Sequence, residues 1–211
     1  NTKIILSYTI FENLPVIIRN TRFVHEGESS IVLERAMSLN LDLPDDRYEM
    51  VELTGAWARE RYVKTAPLHE GIQAIYSMRG HSSHQFNPFF ALKRPETTED
   101  AGEAIGISLV YSGNFLGQTA VDTFGVARAM IGIHPEGFSW TLKKGETFQT
   151  PEAVLVYSGE GLGKMSRTFH RLYRKRLARG YWRDRVRPVV INNWEATFMN
   201  FTEDKILKFA E

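Results

Sequence analysis

The sequence predicts a mainly β protein: an antiparallel β-sandwich over residues 1–157, a linker helix and connection over 158–185, and the first βα unit of a parallel fold over 186–211. Three observations predict this order. Short runs of alternating apolar side chains recur between turn residues in the first part, apolar residues then fall at helical spacing, and a compact apolar strand finally precedes a capped helix. Such a change of pattern indicates two architectures in one chain.

The composition is that of a globular protein with a hydrophobic core, since 43% of the 211 residues are apolar. Lys and Arg total 26 against 25 Asp and Glu, so the net charge of +1 creates no field that would attract nucleic acid or an anionic membrane. The longest apolar runs, such as "VVI" and "FFAL", are far shorter than the roughly 20 residues that cross a bilayer. We therefore expect neither a nucleic-acid nor a membrane partner.

The chain contains no cysteine, which excludes disulfides, thiol catalysis and thiolate metal sites. It also lacks an initiator methionine and opens directly in strand-like sequence. We expect from this that both ends are cuts in a longer protein.

The first 157 residues have the spacing of an antiparallel sandwich. Side chains alternate between two faces over residues 3–11, and breakers such as "LPDD", "HPEG" and "KKGE" separate the later β-rich runs. The further predicted strands cover residues 16–24, 31–41, 48–53, 72–78, 89–92, 104–112, 118–133 and 147–157. Regularly spaced short strands of this kind are typical of β-sandwiches.

A helix is predicted in "SGEGLGKMSRTFHRLYRKRLARGY", where apolar residues fall at helical spacing. Ser158 can cap its start and Gly180 can end it. The opposite face is rich in Lys and Arg, which we interpret as a solvated face of a helix packed on the sandwich rather than a nucleic-acid patch.

A second architecture is predicted to begin at Pro188. The apolar run 189–191 suits a buried parallel strand, and Thr202 followed by Glu203 and Asp204 suits a helix N-terminus. Residues 186–211 are therefore predicted to form a βα unit.

The segment "RGHSSHQFNPFF" contains two histidines three residues apart, His81 and His84, beside two serines. Either histidine can ligate a metal or act as a general base, but no carboxylate adjoins them in sequence. An ordered, hydrogen-bonded structural loop is the favoured interpretation, and a loop that borders a substrate pocket is the alternative.

The segment "GAWARERYV" places Trp57, Arg59 and Arg61 on one face of a strand, if the chain there is extended. A tryptophan beside arginines can bind a sugar ring or a carboxylate. Equally, Trp57 can be a core residue while the arginines pair with Asp45 or Asp46, and this structural interpretation is the favoured one.

The segment "NNWEA" follows the predicted parallel strand, at the position where βα architectures place ligand contacts. The indole of Trp194 can stack on a pyranose ring, and Glu195 can bond hydroxyl groups. The alternative, which is equally supported, is that Trp194 plugs the end of a barrel and Glu195 caps a backbone group.

Eight segments occur in one order that resembles a known family. They are "YTIFENLPVIIRNTRF", "LERAMSLNLDLPD", "GAWARERYV", "RGHSSHQFNPFFAL", "VYSGNF", "PEGFSWTLKKGETFQTPEAVLVYS", "MSRTFHRLYRKRL" and "RPVVINNWEATFMNF". Together they resemble the α-galactosidases of glycoside hydrolase family 36, in the long bacterial type. The resemblance runs from about Ser7 to the last residue.

The resemblance implies a β-supersandwich of the galactose-mutarotase type, incomplete at its start, followed by a linker helix and the first strand and partial first helix of a catalytic (β/α)8 barrel. It implies a retaining hydrolase of terminal α-galactosides such as melibiose and raffinose, without a cofactor or metal. The two catalytic aspartates of that family lie on later barrel strands, and no segment here matches their motifs. The chain alone is therefore expected to be inactive.

The resemblance also implies roles for individual residues and for the assembly. Trp194 matches the family's tryptophan that lines the galactose subsite, and Glu195 belongs to the same block. Family members are usually cytoplasmic and often tetrameric, with sandwich domains that contribute to neighbouring active sites. For Trp57, Arg59, His81 and His84 the resemblance leaves a position bordering the pocket as a hypothesis.

Two other functions are compatible with the sequence. One is a non-catalytic carbohydrate-binding or scaffold β-sandwich whose last strand and helix only resemble a barrel. The other is a transferase that acts on the same oligosaccharides.

Overall fold

The structure is a computed structural model that describes all residues, 1–211, and it divides into two compact units. The first unit, Asn1–Leu172, contains every β-strand and one helix, and the second, Tyr173–Glu211, contains only helical segments and loops.

The first unit is an antiparallel sandwich of fourteen strands. They are β1 (Thr2–Ile10), β2 (Val16–His25), β3 (Ile31–Leu33), β4 (Met37–Asp42), β5 (Glu49–Ala56), β6 (Arg59–Pro67), β7 (Gly71–Ser77), β8 (Phe86–Lys93), β9 (Ala104–Val110), β10 (Phe115–Val121), β11 (Ala127–Ile133), β12 (Trp140–Leu142), β13 (Thr147–Gln149) and β14 (Glu152–Ser158). The predicted antiparallel β class is confirmed.

Three sheets are formed, and two of them enclose the core. The larger sheet has the order β1-β2-β14-β9-β8-β5-β6, with β13 also paired to β2, and the smaller has the order β4-β11-β10-β7. A two-stranded sheet pairs β12 with β3. Every strand pair in these sheets is antiparallel.

Three of the predicted runs are each two strands in the structure. The run 31–41 divides into β3 and β4, which pair in different sheets, and 118–133 divides at a hairpin in which the Asp122 carboxylate accepts from Phe124 N and Val126 N. The run 147–157 divides before Pro151, which has no N–H for a ladder. Strands β6 and β12 were not predicted because their outward-facing residues weaken the alternation.

The core lies between the two large sheets, where inward-facing side chains of neighbouring strands meet. Phe90, Ile107 and Phe115 are fully buried there, with Ile75 and Ile131 beside them. Their alternation with outward residues is the period-two pattern that the sequence displays. Burial of these large apolar side chains is the main favourable term in the stability of the unit.

Helix α1 (Gly161–Leu172) packs on β9 and β14 of the larger sheet. Ser158 precedes it but does not cap its first turn as predicted, because its hydroxyl accepts from Glu160 N at 3.1 Å, before the helix starts, and donates to the Gly161 carbonyl at 2.9 Å. A Cβ on Gly106 would lie 2.4 Å from the ring of Phe169, so only glycine on β9 allows the helix to approach this closely.

The α-helix ends at Leu172, not at Gly180 as predicted. A π-helical turn, Tyr173–Leu177, follows in the second unit, closed by a bond from Ala178 N to the Tyr173 carbonyl. None of the five residues in this turn is buried.

In the second unit, the predicted helix forms but the predicted strand does not. Helix α3 (Glu203–Ala210) is capped by Thr202, whose hydroxyl accepts from Lys205 N at 3.4 Å. Residues 189–191 form no strand, and Val189 is 93% exposed. The physical reason is that a parallel strand needs neighbouring strands to satisfy its backbone groups, and this unit contains none.

Candidate functional site

The "GAWARERYV" segment is a hairpin rather than one extended strand. Ala56 pairs with Arg59, and Trp57 and Ala58 form the turn between β5 and β6. The expected common face for Trp57, Arg59 and Arg61 is therefore wrong. The favoured interpretation of Trp57 as a core residue is also wrong, because its side chain is 80% exposed at the tip of the hairpin.

Two non-glycine residues in this hairpin have a left-handed backbone. Ala58 has a φ of 61° and Arg61 a φ of 62°, and a register shift lies between Thr54 and Ala56. Such a conformation costs about 1 kcal/mol or more for each residue, and strained backbone is often found at functional sites. Trp57 lies in the two-residue turn that the pairing of Ala56 with Arg59 closes.

The arginines of the hairpin do not pair with Asp45 or Asp46. Asp45 instead contacts Arg94 at 2.6 Å and Arg47 at 3.6 Å. The positive charge of Arg59 is thus left without a carboxylate partner at the surface. This arrangement leaves its guanidinium open to a ligand.

The histidine segment is a hydrogen-bonded surface loop between β7 and β8. His81 Nδ1 lies 2.7 Å from the Ser82 carbonyl, and Ser77 donates to the His81 carbonyl at 2.6 Å. His81 and His84 are both exposed. The chain contains no group of three His, Cys, Asp or Glu side chains that could hold a metal ion.

The structure brings the two motifs together at one end of the sandwich. Gly55 N, next to the hairpin, donates to the Gln85 carbonyl at the end of the histidine loop at 3.0 Å. The loop after β9 joins them, since Ser82 N donates to the Ser112 carbonyl at 2.7 Å and Gly80 N to Asn114 Oδ1 at 2.6 Å. We call these three segments, 56–59, 78–85 and 111–114, the loop end of the sandwich.

A surface cavity of about 560 Å³ lies beside the loop end. It is lined by Thr54, Gly55, Arg59, Tyr62, Val63, Lys64, Tyr76, Gln85 and Phe86. Tyr76 stacks on Phe86 with ring centroids 5.9 Å apart, which provides an aromatic surface next to cationic and amide groups. That combination suits a polar ligand with an apolar face, such as a sugar.

The sequence indicated only part of this lining. Arg59 was a candidate, whereas Tyr62, Tyr76 and Gln85 were not recognised. Tyr62 lies on β6, which was not predicted as a strand, and Tyr76 reaches the cavity only because β7 lies near β8 in the folded unit. No local sequence pattern predicts that β7 and β8 lie close together.

A network around Arg94 was also missed. Arg94 lies 3.8 Å over the centre of the Tyr48 ring, and it contacts Asp45 at 2.6 Å and Glu103 at 3.2 Å. Tyr48 donates to Glu103 at 2.9 Å, and its burial and the nearby carboxylate raise the pKa of the Tyr48 hydroxyl to about 12. The network joins loops before β5 and around β9, and its role is structural.

Acid is expected to weaken this network. The hydrogen bond from Arg94 holds the pKa of Asp45 below its ordinary value, so the ionised carboxylate stabilises the folded state. This contribution is present above the unfolded pKa of about 3.9 and is lost as the pH falls through the lower folded value. Asp45→Asn should therefore flatten the pH dependence of the urea midpoint in this acidic range.

The matched control is Asp46→Asn, because the Asp46 carboxylate forms no hydrogen bond or ion pair. This variant should follow the wild-type curve. Equal slopes for wild type and Asp45→Asn below pH 4 would contradict the role given to the Asp45–Arg94 contact.

Trp194 and Glu195 lie in the second unit, in the short helix α2 (Trp194–Thr197). Asn192 Oδ1 accepts from Trp194 N at 3.0 Å, and Asn193 donates to the Thr197 hydroxyl at 2.8 Å, so the asparagines hold this turn. Phe198 packs edge-on against the indole, with ring centroids 5.4 Å apart.

The indole of Trp194 is 45% exposed, and Glu195 is exposed with no ion pair. One edge contact to Phe198 leaves indole surface free for a stacking ligand. The geometry is therefore compatible with a sugar contact, and within this unit Trp194 does not plug a core.

None of the helices is both long enough and apolar enough to cross a bilayer. This statement concerns the helices of residues 1–211 alone.

Comparison with known families gives two consecutive matches. Residues 1–143 match the glycosyl hydrolase family 36 N-terminal domain, and residues 147–211 match the family described as melibiase. Together these matches cover nearly the whole chain.

Characterised relatives are similar along the same length. The chain is 52% identical over 208 residues to α-galactosidase AgaA of Geobacillus stearothermophilus and 44% identical over 201 residues to α-galactosidase Mel36A of Lactobacillus acidophilus. These alignments cover 99% and 95% of the chain but only 28% of each relative. The chain thus spans a little over a quarter of the length of the relatives it matches.

Solved structures give the same result. The crystal structure of AgaA superposes with a TM-score of 0.93 over 99% of this chain and 29% of that protein. Structures of AgaA variants contain stachyose or raffinose, each at a TM-score of 0.92. Because two family matches, sequence identity and fold agree, the chain belongs to glycoside hydrolase family 36.

Proposed function

We propose that this chain is the N-terminal part of a retaining α-galactosidase, which hydrolyses terminal α-D-galactosyl residues of oligosaccharides such as melibiose and raffinose. The observation that carries the proposal is the 52% identity to α-galactosidase AgaA across 99% of the chain. The raffinose and stachyose bound in structures of AgaA variants support the choice of substrate class.

Trp194 is proposed to line the galactose subsite. Its half-exposed indole offers an apolar face to a pyranose ring, and the asparagine bonds of the α2 turn orient it. Glu195 follows on the same turn with an exposed carboxylate, which can accept hydrogen bonds from sugar hydroxyls.

The loop end of the sandwich is proposed to border a substrate pocket in an assembled homo-oligomer, such as a tetramer. Trp57 is held outward by a strained hairpin, Arg59 has no carboxylate partner, and His81 and His84 are exposed on the adjoining loop. Exposed aromatic and arginine side chains are typical anchors of interfaces. A cytoplasmic location belongs to the same proposal and rests on the family resemblance alone.

The proposed role of Trp194 predicts the kinetics of a variant. In the full-length protein, Trp194→Ala should lower kcat/KM for melibiose, because a stacking surface for the sugar is lost. The expected loss of transition-state stabilisation is about 1 to 3 kcal/mol. Steady-state kinetics measure this effect.

Trp140→Ala is the matched control, since Trp140 is 49% exposed but lies on β12 in the sandwich unit. Its kcat/KM should stay near the wild-type value. Wild-type kinetics for Trp194→Ala would show that the indole makes no energetically important contact with the sugar.

The proposed activity is tested by translating the reading frame around these 211 residues and assaying the complete product. We expect release of galactose from melibiose and raffinose. Transfer of galactose to another sugar without net hydrolysis would favour the transferase, and no activity on any α-galactoside would favour a carbohydrate-binding or scaffold domain.

A further inference from the structure

The four-stranded sheet has one face on the core and an outer face that carries a cavity of about 610 Å³. Strand β10 shows the division. Phe115 and Thr119 point into the core, where Thr119 approaches the sulfur of Met50, whereas Gln118 and Ala120 line the cavity on the opposite face. The only helix of the sandwich unit, α1, packs on β9 and β14 instead.

Gln118 is a largely buried polar residue that lines this cavity. It is only 7% exposed and lines the floor of the cavity, yet its side-chain amide forms no hydrogen bond with the protein. A side-chain amide carries two donors and an acceptor. Since Ser38 Oγ is the only enclosed side-chain N or O atom without a partner, the Gln118 amide is open to the cavity. A ligand in the cavity can therefore form hydrogen bonds with this amide.

A second amide lies in the same row of the sheet. Asn40 on β4 is directly opposite Met130 on β11, and Met130 is opposite Gln118 on β10. The two amides are therefore two strand spacings apart, roughly 9.6 Å across the sheet. The Asn40 side chain also forms no hydrogen bond and is exposed. A ligand that binds both amides must present hydrogen-bonding groups on two of its edges.

The charges around the cavity are balanced. Arg35 and Arg128 lie on its rim, where Asp42 forms an ion pair with Arg128, and Asp122 supplies the second negative charge. No excess of either sign favours an anionic or a cationic ligand.

Apolar side chains complete the lining. Ile72, Val126 and Met130 lie beside the two amides. Amides that bond hydroxyl groups beside aliphatic side chains that contact C–H groups match the surface of a neutral sugar.

We propose that this outer face binds a neutral oligosaccharide, with Gln118 and Asn40 hydrogen-bonded to its hydroxyl groups and Ile72 and Met130 against its C–H face. The lining of this site shares no residue with the loop end of the sandwich and does not include Trp194. The proposed function supplies only the choice of probe, and binding to this face requires no catalytic group.

The test is titration of the ¹⁵N-labelled 211-residue chain with raffinose to about 50 mM, well above a millimolar dissociation constant. Saturable shifts of backbone amides in β10 and β11 are expected. Gln118→Leu should weaken binding at least about tenfold, because it removes a hydrogen-bonding group from a buried position. Gln149→Leu, at an exposed position on β13, is the matched control and should bind like wild type.

Asn40→Ala is a second variant. It should fold normally because Asn40 is exposed, and it should weaken binding several-fold because one of the two amides is lost. If Gln118→Leu does not fold, Asn40→Ala decides the result. Absence of saturable shifts, shifts confined to other strands, or unchanged affinity in the folded variants would overturn the proposal. Sedimentation of the Gln118 variant is a further test. If wild type is a dimer and the substitution abolishes it, the face binds a second copy of the chain and the proposal is overturned. None of these experiments measures glycosidase activity, so failure of this proposal is distinguishable from failure of the proposed function.

Discussion

The purified 211-residue chain is expected to release no measurable product from a chromogenic α-galactoside. A retaining glycosidase requires two carboxyl groups held about 5 to 5.5 Å apart, one as nucleophile and one as acid/base. The family's motifs for these two aspartates have no counterpart among the residues of this chain. Without that pair, neither the covalent intermediate nor protonation of the leaving group is available.

The assay compares the chain with the full-length protein at equal molar concentration. The full-length protein should turn over the substrate, and a mock purification from host cells lacking the gene controls for contaminating glycosidase. Turnover by the chain above the mock level would mean that residues 1–211 contain a catalytic pair of their own.

Replacement of Phe90 by alanine is expected to destabilise the sandwich unit by about 3 to 5 kcal/mol. Phe90 is fully buried on β8, and its ring packs so tightly under β10 that a Cβ on Gly117 would lie 3.2 Å from it. Truncation removes the apolar surface and leaves a cavity that neighbouring strands, fixed by their ladders, cannot fill. Chemical denaturation followed by tryptophan fluorescence measures the loss.

Phe124→Ala is the matched control, since Phe124 is 89% exposed in the hairpin between β10 and β11. Its stability should stay within about 0.5 kcal/mol of wild type, as for most surface substitutions. A Phe90→Ala protein with a wild-type denaturation midpoint and slope would contradict the assignment of the core to the space between β8 and β10.

In the second unit, one prediction from the sequence is confirmed and one is wrong. The helix cap at Thr202 is local, and the structure confirms it because the hydroxyl bonds an N–H only three residues away. The strand predicted at 189–191 depends on parallel partners that the second unit does not contain, and it did not form.

The hairpin at Trp57 shows a second limit of sequence-based prediction. Alternating side chains suggested continuous extension, but the chain reverses at Trp57 and Ala58 without the glycine or asparagine that usually signals a tight turn. The hydrogen-bonded ladder between β5 and β6 offsets the conformational free energy that the left-handed residues cost. Local propensity alone would not predict that outcome.

Sequence patterns alone predict the antiparallel β class, the helix after Ser158, the N-cap at Thr202 and the family, because each depends on period, capping or residue order along the chain. The folded protein was needed to show that the Gly55 and Gln85 segments meet, that Arg94 joins Tyr48 to Glu103, and that Gln118 lines a cavity. These contacts join residues 9 to 55 positions apart or depend on which strands become neighbours. Sheet order is set by the burial of the whole core rather than by any local pattern.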